Sequence, residues 1–363
     1  MKAVLSTGKG FSTVIKTNIP IPQINENQIL IKTKAFAINP TDWKSLLWNP
    51  GKKDVIVGSD VSGIVEKIGS NVKNFNKGDF ISSYIVGSIS TTNGAFAEYV
   101  AVDPRGSIKY NHLSDNPKDQ SLKPDTIKTF IDAASITLGL VTVSSSFSYY
   151  LNLKSNSKPK DFLLIWGGAT ATGKIAIQLA KLIYDLTVIT TASPKNHQAL
   201  KELGADYIFD YNDSEVVTKI KEVTKGELKF ALDTVAESET FQKLYDSTED
   251  TKSDIYLDNL LYLTKDSINL NPNRNNNLIH WGKTSASLVI IKERKLVDKI
   301  LKAPDELHGY YDEFWFNVLP EYISEIKHGN LKILNGKEQF EVVEEGLKLS
   351  EKGVSNEKIV FNL

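Results

Sequence analysis

Residues Phe162-Leu163-Leu164-Ile165-Trp166 run directly into Gly167-Gly168-Ala169-Thr170-Ala171-Thr172-Gly173-Lys174. Five consecutive apolar residues that stop at a glycine pair suit a buried strand. The stretch that follows, 175–184, carries Ile175, Leu179, Leu182 and Ile183 at three- and four-residue steps, the period of a helix with one buried face. The same rhythm continues downstream. Candidate strands fall at Phe162–Trp166, Thr187–Thr191, Tyr207–Phe209, 230–234, 258–263 and 285–291, with helical segments between the first four. Strand–helix–strand units of this length close as right-handed crossovers, and the sheet they predict is parallel and doubly wound.

The residues before this block follow another rule. Segments 29–36, 63–69, 79–85 and 95–100 are short and strand-like, each entered or left through glycine- or asparagine-bearing turns such as Gly69-Ser70-Asn71 and Asn93-Gly94. Many short strands of this kind suit a partly open β-barrel, and by pattern alone a generic β domain equally. Residues 1–6 read as its first strand. The tail is mixed, with a helix near 316–327 and a last strand at 358–361. A chain of 363 residues exceeds the usual size of one domain. The boundaries predicted are 1–135 for the β domain, 136–293 for the doubly wound domain, and 294–363 for a return to the first.

The glycine-bearing turn points to a ligand. Small residues there let a diphosphate approach the backbone and let the helix pack close to the strand. The helix N-terminus then offers free N–H groups and the positive end of its dipole. Gly168, Thr170, Ala171, Thr172 and Gly173 are the candidate phosphate-binding residues, with Lys174 as an added charge. The usual middle glycine is replaced by Thr170, so a small-residue turn that binds nothing is the competing reading. About twenty residues on, where a free ribose 2′-hydroxyl would call for an acid, the sequence is Thr191-Ala192-Ser193-Pro194-Lys195-Asn196. A hydroxyl and an ammonium suit a 2′-phosphate, which makes NADPH the expected cofactor. Ser193 and Lys195 could instead only cap and solubilise the next helix.

Composition narrows the chemistry further. The chain has no cysteine, which removes disulfides, thiolate nucleophiles and thiolate metal sites. Its five histidines form no HExxH or HxH spacing, so no metal is expected. A formal net charge of -1 gives no reason to expect nucleic acid as a partner. There is no apolar run of 18 residues for a membrane span, and the cytoplasm is the simplest expected location.

Five motifs in one order now identify a resemblance. Ala37-Ile38-Asn39-Pro40-Thr41-Asp42-Trp43-Lys44, Gly58-Ser59-Asp60-Val61-Ser62-Gly63, Lys77-Gly78-Asp79, Gly94-Ala95-Phe96-Ala97-Glu98-Tyr99 and the Gly167–Gly173 turn together resemble the medium-chain dehydrogenase/reductases. Within these the chain looks most like the zinc-free quinone and enoyl reductase branch, and among those the fungal ToxD-like proteins. The resemblance implies a GroES-like β-barrel catalytic domain interrupted by a Rossmann-like cofactor domain. It sets Asn39 where zinc-dependent members hold a Cys, Ser59 where they hold a His, and Asp60 where they hold a Glu. It adds Tyr211 to Ser193 and Lys195 at the 2′-phosphate, places Val235 and Leu263 beside the nicotinamide ribose, and has Lys358 in a tail that closes over the cofactor. Asn39, Asp42, Lys44 and Tyr84 are the candidate catalytic groups, Asn39 first as an oxyanion donor. The function expected is NADPH-dependent hydride transfer to a small enone, quinone or aldehyde; a non-catalytic NADPH-binding sensor or structural protein is the alternative. Relatives suggest a monomer, or a homodimer joined through the last cofactor-domain strand, for which 285–291 is apolar enough.

Overall fold

The computed structural model describes residues 1–116, 126–295, 300–336 and 340–363. Its contacts divide the chain into two units. The first is Met1–Val141, Ser287–Ala303 and Ser324–Leu363; the second is Thr142–Ala286 with Pro304–Ile323.

The first unit is built on a seven-stranded sheet. Strands Asn330–Ile333, Glu357–Asn362, Ile29–Ala37, Asp60–Ile68, Phe80–Tyr84 and Ser107–Tyr110 follow in that order, and Tyr99–Val102 also pairs with Ile29–Ala37. The long strand Ile29–Ala37 gives Ile29 to Lys32 to Tyr99–Val102 and Ala35 to Ala37 to the last strand, so two partners divide its length. Register shifts at Leu30/Ile31 and Thr33/Ala35 add local twist, and the sheet curls into the half-barrel of a GroES-like domain. Phe36 fills its centre, with ring centroids of Phe361, Phe340 and Phe96 at 4.9, 5.4 and 5.7 Å. Strand 95–100 starts late, at Tyr99, because the amides of Ala95 and Phe96 bond to the carbonyls of Gly58 and Val57 instead of entering the ladder.

The second unit holds a six-stranded sheet in the order Tyr207–Phe209, Thr187–Thr191, Phe162–Trp166, Leu228–Asp233, Ile255–Asn259, Ile279–Trp281, with every pair parallel. In chain order this is 3-2-1-4-5-6, the doubly wound arrangement of dinucleotide-binding domains. Two strands lie elsewhere than the hydrophobic pattern predicts. The fifth ends at Asn259, because that side chain accepts from the amides of Leu261 and Leu263 and donates to the carbonyl of Leu263, hooking 260–263 into a loop. The sixth is Ile279–Trp281. Residues 285–291 form no strand: Ser287–Ile290 is a short helix belonging to the first unit, so the expected dimer strand is not there.

The tail also departs from expectation. Pro304–Ile323 belongs to the second unit, not the first, because Tyr310 and Phe314 pack their rings against Tyr149 and Tyr184 of that unit. Helix begins there at Leu307 and not near 316. Among the described residues, one helical stretch, Phe130–Tyr150, is long and apolar enough to cross a membrane, but 94% of its window is buried inside the protein. It is a core helix.

Candidate functional site

The turn after Phe162–Trp166 is fastened from three directions. Gly167 and Gly168 donate to the hydroxyl and carbonyl oxygens of Thr191 at 3.1 and 3.0 Å. Thr170 caps the helix Ala171–Tyr184, its hydroxyl accepting from the Gly173 amide at 2.9 Å. The same hydroxyl meets Thr234 Oγ1 at 2.9 Å, and Thr234 in turn donates to the carbonyls of Trp166 and Gly167. The threonine that replaces the middle glycine is therefore the helix cap. Gly168 and Gly173 are required by close approach: a Cβ would lie 2.2 Å from Thr190 Oγ1 in one case and 2.4 Å from the Gly167 carbonyl oxygen in the other. The amides of Ala171 and Thr172 have no acceptor among the described residues, which leaves the first turn of the helix open to an anion. Lys174 is not displayed there; its side chain is 5% exposed.

Neighbouring loops complete this region. Val235 stands against the turn, its Cγ2 2.7 Å from where a Gly167 Cβ would be. It is held by the Asp233 carboxylate, which accepts from the amides of Val235 and Ala236 and from Thr240. Burial pushes Asp233 up to about 6, against those hydrogen bonds. Leu263 sits on the loop hooked to Asn259. At the end of the second strand, Ser193 Oγ and Tyr211 Oη lie 3.0 Å apart, and Lys195 is exposed with no ion pair among the described residues. Thr191 and Thr234 were silent in the sequence. A hydroxyl at the C-terminal end of a parallel strand beside a glycine turn is the signal that could have marked them.

The first unit contains a buried cluster of a different kind. Its sheet register creates it: Ala37 pairs with Asp60, Asp60 with Tyr84, and the Ile38 amide bonds to the Ile359 carbonyl. Asn39, Asp60 and Lys358 are thus brought together from three strands or strand ends. The Asn39 amide nitrogen donates to Asp60 at 2.9 Å and its oxygen accepts from the Lys358 ammonium, which also lies 3.5 Å from Asp60. Asp42 closes the helix start by accepting from the Asn39 backbone at 2.7 Å, and it accepts from the Ser59 hydroxyl at 2.6 Å. Asp60 is 0% exposed, Asp42 1% and Lys358 6%. Burial raises Asp60 and lowers Lys358, each toward its neutral form, while their mutual attraction opposes both changes.

Residues 25–112 match the alcohol dehydrogenase GroES-like domain family, and residues 171–251 the zinc-binding dehydrogenase family. An uncharacterised Saccharomyces cerevisiae protein, YLR460C, is 36% identical over 76% of this chain and 75% of its own length. The chain belongs to the medium-chain dehydrogenase/reductase superfamily. The trans-enoyl reductase TOXD of Cochliobolus carbonum is 36% identical over 60% of this chain and 69% of its own. Mycobacterial Rv1454c, solved in complex with NADPH, superimposes with a TM-score of 0.65 at 19% identity, covering 100% of both chains. The chemistry of the superfamily is NAD(P)H-dependent oxidoreduction, and this chain is an oxidoreductase of that class.

Zinc, implied by one family's description, does not fit the residues present. The position of its ligands is taken by an amide, a hydroxyl and a carboxylate, with no thiolate or imidazole. An ammonium already stands beside the carboxylate, and would repel a divalent cation. Among the described residues no group of three His, Asp or Glu side chains could hold a metal.

The four catalytic candidates separate. Asn39 and Asp42 share the cluster, and Tyr84 lies opposite Asp60 in the sheet, buried at 4%. Asn39 cannot act as the free oxyanion donor expected of it, because its amide hydrogens go to Asp60 and toward the Ala37 carbonyl. Lys44 is not in the cluster. It is two residues from Asp42 on the helix Pro40–Leu47, hence on another face, with its ammonium 5.5 and 5.9 Å from the rings of Trp43 and Trp48.

Burial raises Asp42 from 3.8 to about 7, helped by the Asp60 charge and opposed by the bonds from Ser59 and Asn39 and by Lys358. Between these values the folded chain holds a proton that the unfolded chain has lost. The folded state is therefore favoured on the acid side, and the contribution fades as the pH rises toward 7. At about 1.4 kcal/mol per unit this amounts to about 4 kcal/mol. Asp233 and Asp258, both raised to about 6 by burial, act in the same direction. Urea unfolding at pH 5 and pH 8 should show wild type losing more stability than Asp42→Asn. Equal losses in the two proteins would refute the assignment.

Proposed function

We propose that the chain is a zinc-independent, NADPH-dependent reductase of small α,β-unsaturated carbonyl compounds. The carrying observation is the pairing of open N–H groups at Ala171 and Thr172 with Ser193, Tyr211 and an unpaired Lys195 at the second strand end. The first pair suits a diphosphate and the second group a 2′-phosphate, where a carboxylate would have selected NADH. Gly168, Thr170, Gly173 and Val235 shape the seat, and Leu263 would border it from the loop that follows the fifth strand. NADPH, when bound, supplies the hydride.

The chain's own residues must then place the acceptor, steady the negative charge that develops on its oxygen, and deliver a proton. With the zinc donor set gone, hydrogen-bond donors carry the electrostatic part, which suits an activated enone better than an isolated ketone. Lys44 and Tyr84 are the donors proposed. Asp42 keeps a proton near neutral pH, with Ser59 as its neighbour, and Asn39 with Lys358 fixes the start of the helix that carries Asp42 and Lys44. The likeness to TOXD, a trans-enoyl reductase, supports 1,4- over 1,2-reduction. A cytoplasmic location and a monomeric or homodimeric state are part of the same proposal.

Product analysis with cinnamaldehyde and NADPH tests it. Saturated aldehyde is the expected product; unsaturated alcohol would move the assignment to aldehyde reduction. NADPH binding without turnover on enones, quinones and aldehydes alike would replace it with a sensor or structural role. Cofactor choice has its own check. Lys195→Ala should weaken NADPH binding about tenfold or more, the worth of one charge-assisted contact. NADH binding should stay within about twofold. Equal weakening of both would remove Lys195 from the 2′-phosphate.

A further inference from the structure

The second unit has a cleft of about 970 Å³ remote from the glycine turn. Its floor includes Ile183 and Tyr184, the last residues of the helix Ala171–Tyr184, while the turn lies at the first. Fourteen residues at 1.5 Å each separate the two ends by about 20 Å. The cleft is therefore not the nucleotide seat.

Three features mark it as more than a surface depression. Both π-helical turns among the described residues, Ser146–Tyr150 and Phe314–Val318, contribute to its lining, through Ser148 from one and Phe314 and Val318 from the other. A π-turn is less stable than the α-helix it interrupts and occurs often at functional sites. Tyr184 and Phe314 present parallel rings, with centroids 6.5 Å apart and planes 5° from one another. The wall is also short of hydrogen-bond partners. Ser148 Oγ and Asn152 Oδ1 are buried without one, and the Tyr184 hydroxyl has none among the described residues. Burial raises the Tyr184 phenol with no hydrogen bond opposing it. Ser148 Oγ and Asn152 Oδ1 lie beneath the surface of the wall, which leaves the Tyr184 hydroxyl as a polar group a ligand can reach. The rim carries both signs, with Lys154 and Lys158 against three acids, Asp305, Glu306 and Glu313, and Lys154 is 3.4 Å from Glu313.

We propose that this cleft is a second ligand site, for an uncharged planar molecule of two or three fused rings whose single polar group pairs with the Tyr184 hydroxyl. The flat apolar body matches the aromatic walls, the mixed-sign rim favours neither a cation nor an anion, and the volume is that of a small-molecule pocket. A molecule held so far from the nucleotide seat is an accessory ligand and not the compound reduced.

The probe is 2-naphthol. Wild type should bind it saturably below about 1 mM, read by ligand-observed NMR and by thermal upshift. Gly309 lines the cleft, and a Cβ there would meet nothing within 4 Å, so Gly309→Leu should fill the space without a clash. That variant should bind 2-naphthol at least tenfold more weakly while binding NADPH as wild type does. Tyr184→Phe should weaken 2-naphthol severalfold, and it carries the test should the leucine variant fail to fold. Unchanged binding in these variants, absence of binding to wild type, or displacement of 2-naphthol by NADPH would each overturn the proposal. Loss of NADPH binding by wild type would instead count against the nucleotide seat alone.

Discussion

Lys358→Met should lower the stability of the protein at pH 7.5 by about 3–5 kcal/mol, the cost of removing one partner from a buried ion pair. Among the described residues the Lys358 ammonium is the one cation paired with Asp60, and it also holds the oxygen end of the Asn39 amide. Methionine is of similar length, so the loss comes chiefly from the charge and the hydrogen bond, with little change in volume. Left alone at 0% exposure, Asp60 would take up a proton in preference to remaining charged. The deficit should therefore shrink as the pH falls toward 5. Adding Asp60→Asn should recover much of the loss, because the amide carries no charge: its oxygen can accept from the Leu138 N–H, and with the ammonium gone the Asn39 amide can turn its own oxygen toward the new NH2 group. Urea unfolding of the two single variants and the double variant completes a cycle. A single-variant loss under about 1 kcal/mol, or a double variant no better than Lys358→Met, would mean the pair contributes no coupling.

Gly173→Ala should weaken cofactor binding severely in a chain that still folds. The new methyl would sit 2.4 Å from the Gly167 carbonyl oxygen and 2.9 Å from the Gly168 Cα, both backbone atoms that cannot rotate aside. The turn has to open, and the amides of Ala171 and Thr172 lose their aim. A fall of at least about 100-fold in NADPH affinity is expected, which is about 2.7 kcal/mol. Overpacking of this kind costs about 1–3 kcal/mol of stability. Fluorescence titration and a melting curve on the same sample separate the two effects. Affinity within about threefold of wild type would mean that the diphosphate does not sit at this turn.

The cofactor domain was largely legible because its signals are local. An apolar run, a glycine turn and a helix period lie within one stretch of chain, and the first three strands fall at the residues the pattern predicts. The pattern failed where side chains overrode it. Asn259 captures its own downstream backbone and shortens the fifth strand, and the apolar 285–291 turns into a helix because a short run carries no reliable period. The catalytic half was readable as a family and not as a mechanism. Asn39 and Asp42 were found by motif, yet the use of the Asn39 amide depends on Lys358, some three hundred residues away, and no local rule links them. Lys358 was expected in a tail over the cofactor from the resemblance alone, and no local pattern announces that its ammonium meets Asn39 and Asp60. Val342 and Val343, by contrast, sit in the same apolar core as Phe36, as a conventional β domain would have them.

The placement of Glu357–Asn362 between Asn330–Ile333 and Ile29–Ala37 also constrains biosynthesis. As the polypeptide leaves the ribosome, the nucleotide-binding sheet can assemble once residue 281 has emerged. The N-terminal sheet must wait, with Ala35 to Ala37 unpaired on that side, for the strand Glu357–Asn362. At about 5–20 residues per second that is a delay of tens of seconds, during which the Ala35 to Ala37 end of Ile29–Ala37 is open to foreign strands and to chaperones. A nascent chain arrested before residue 357 would expose the same edge indefinitely.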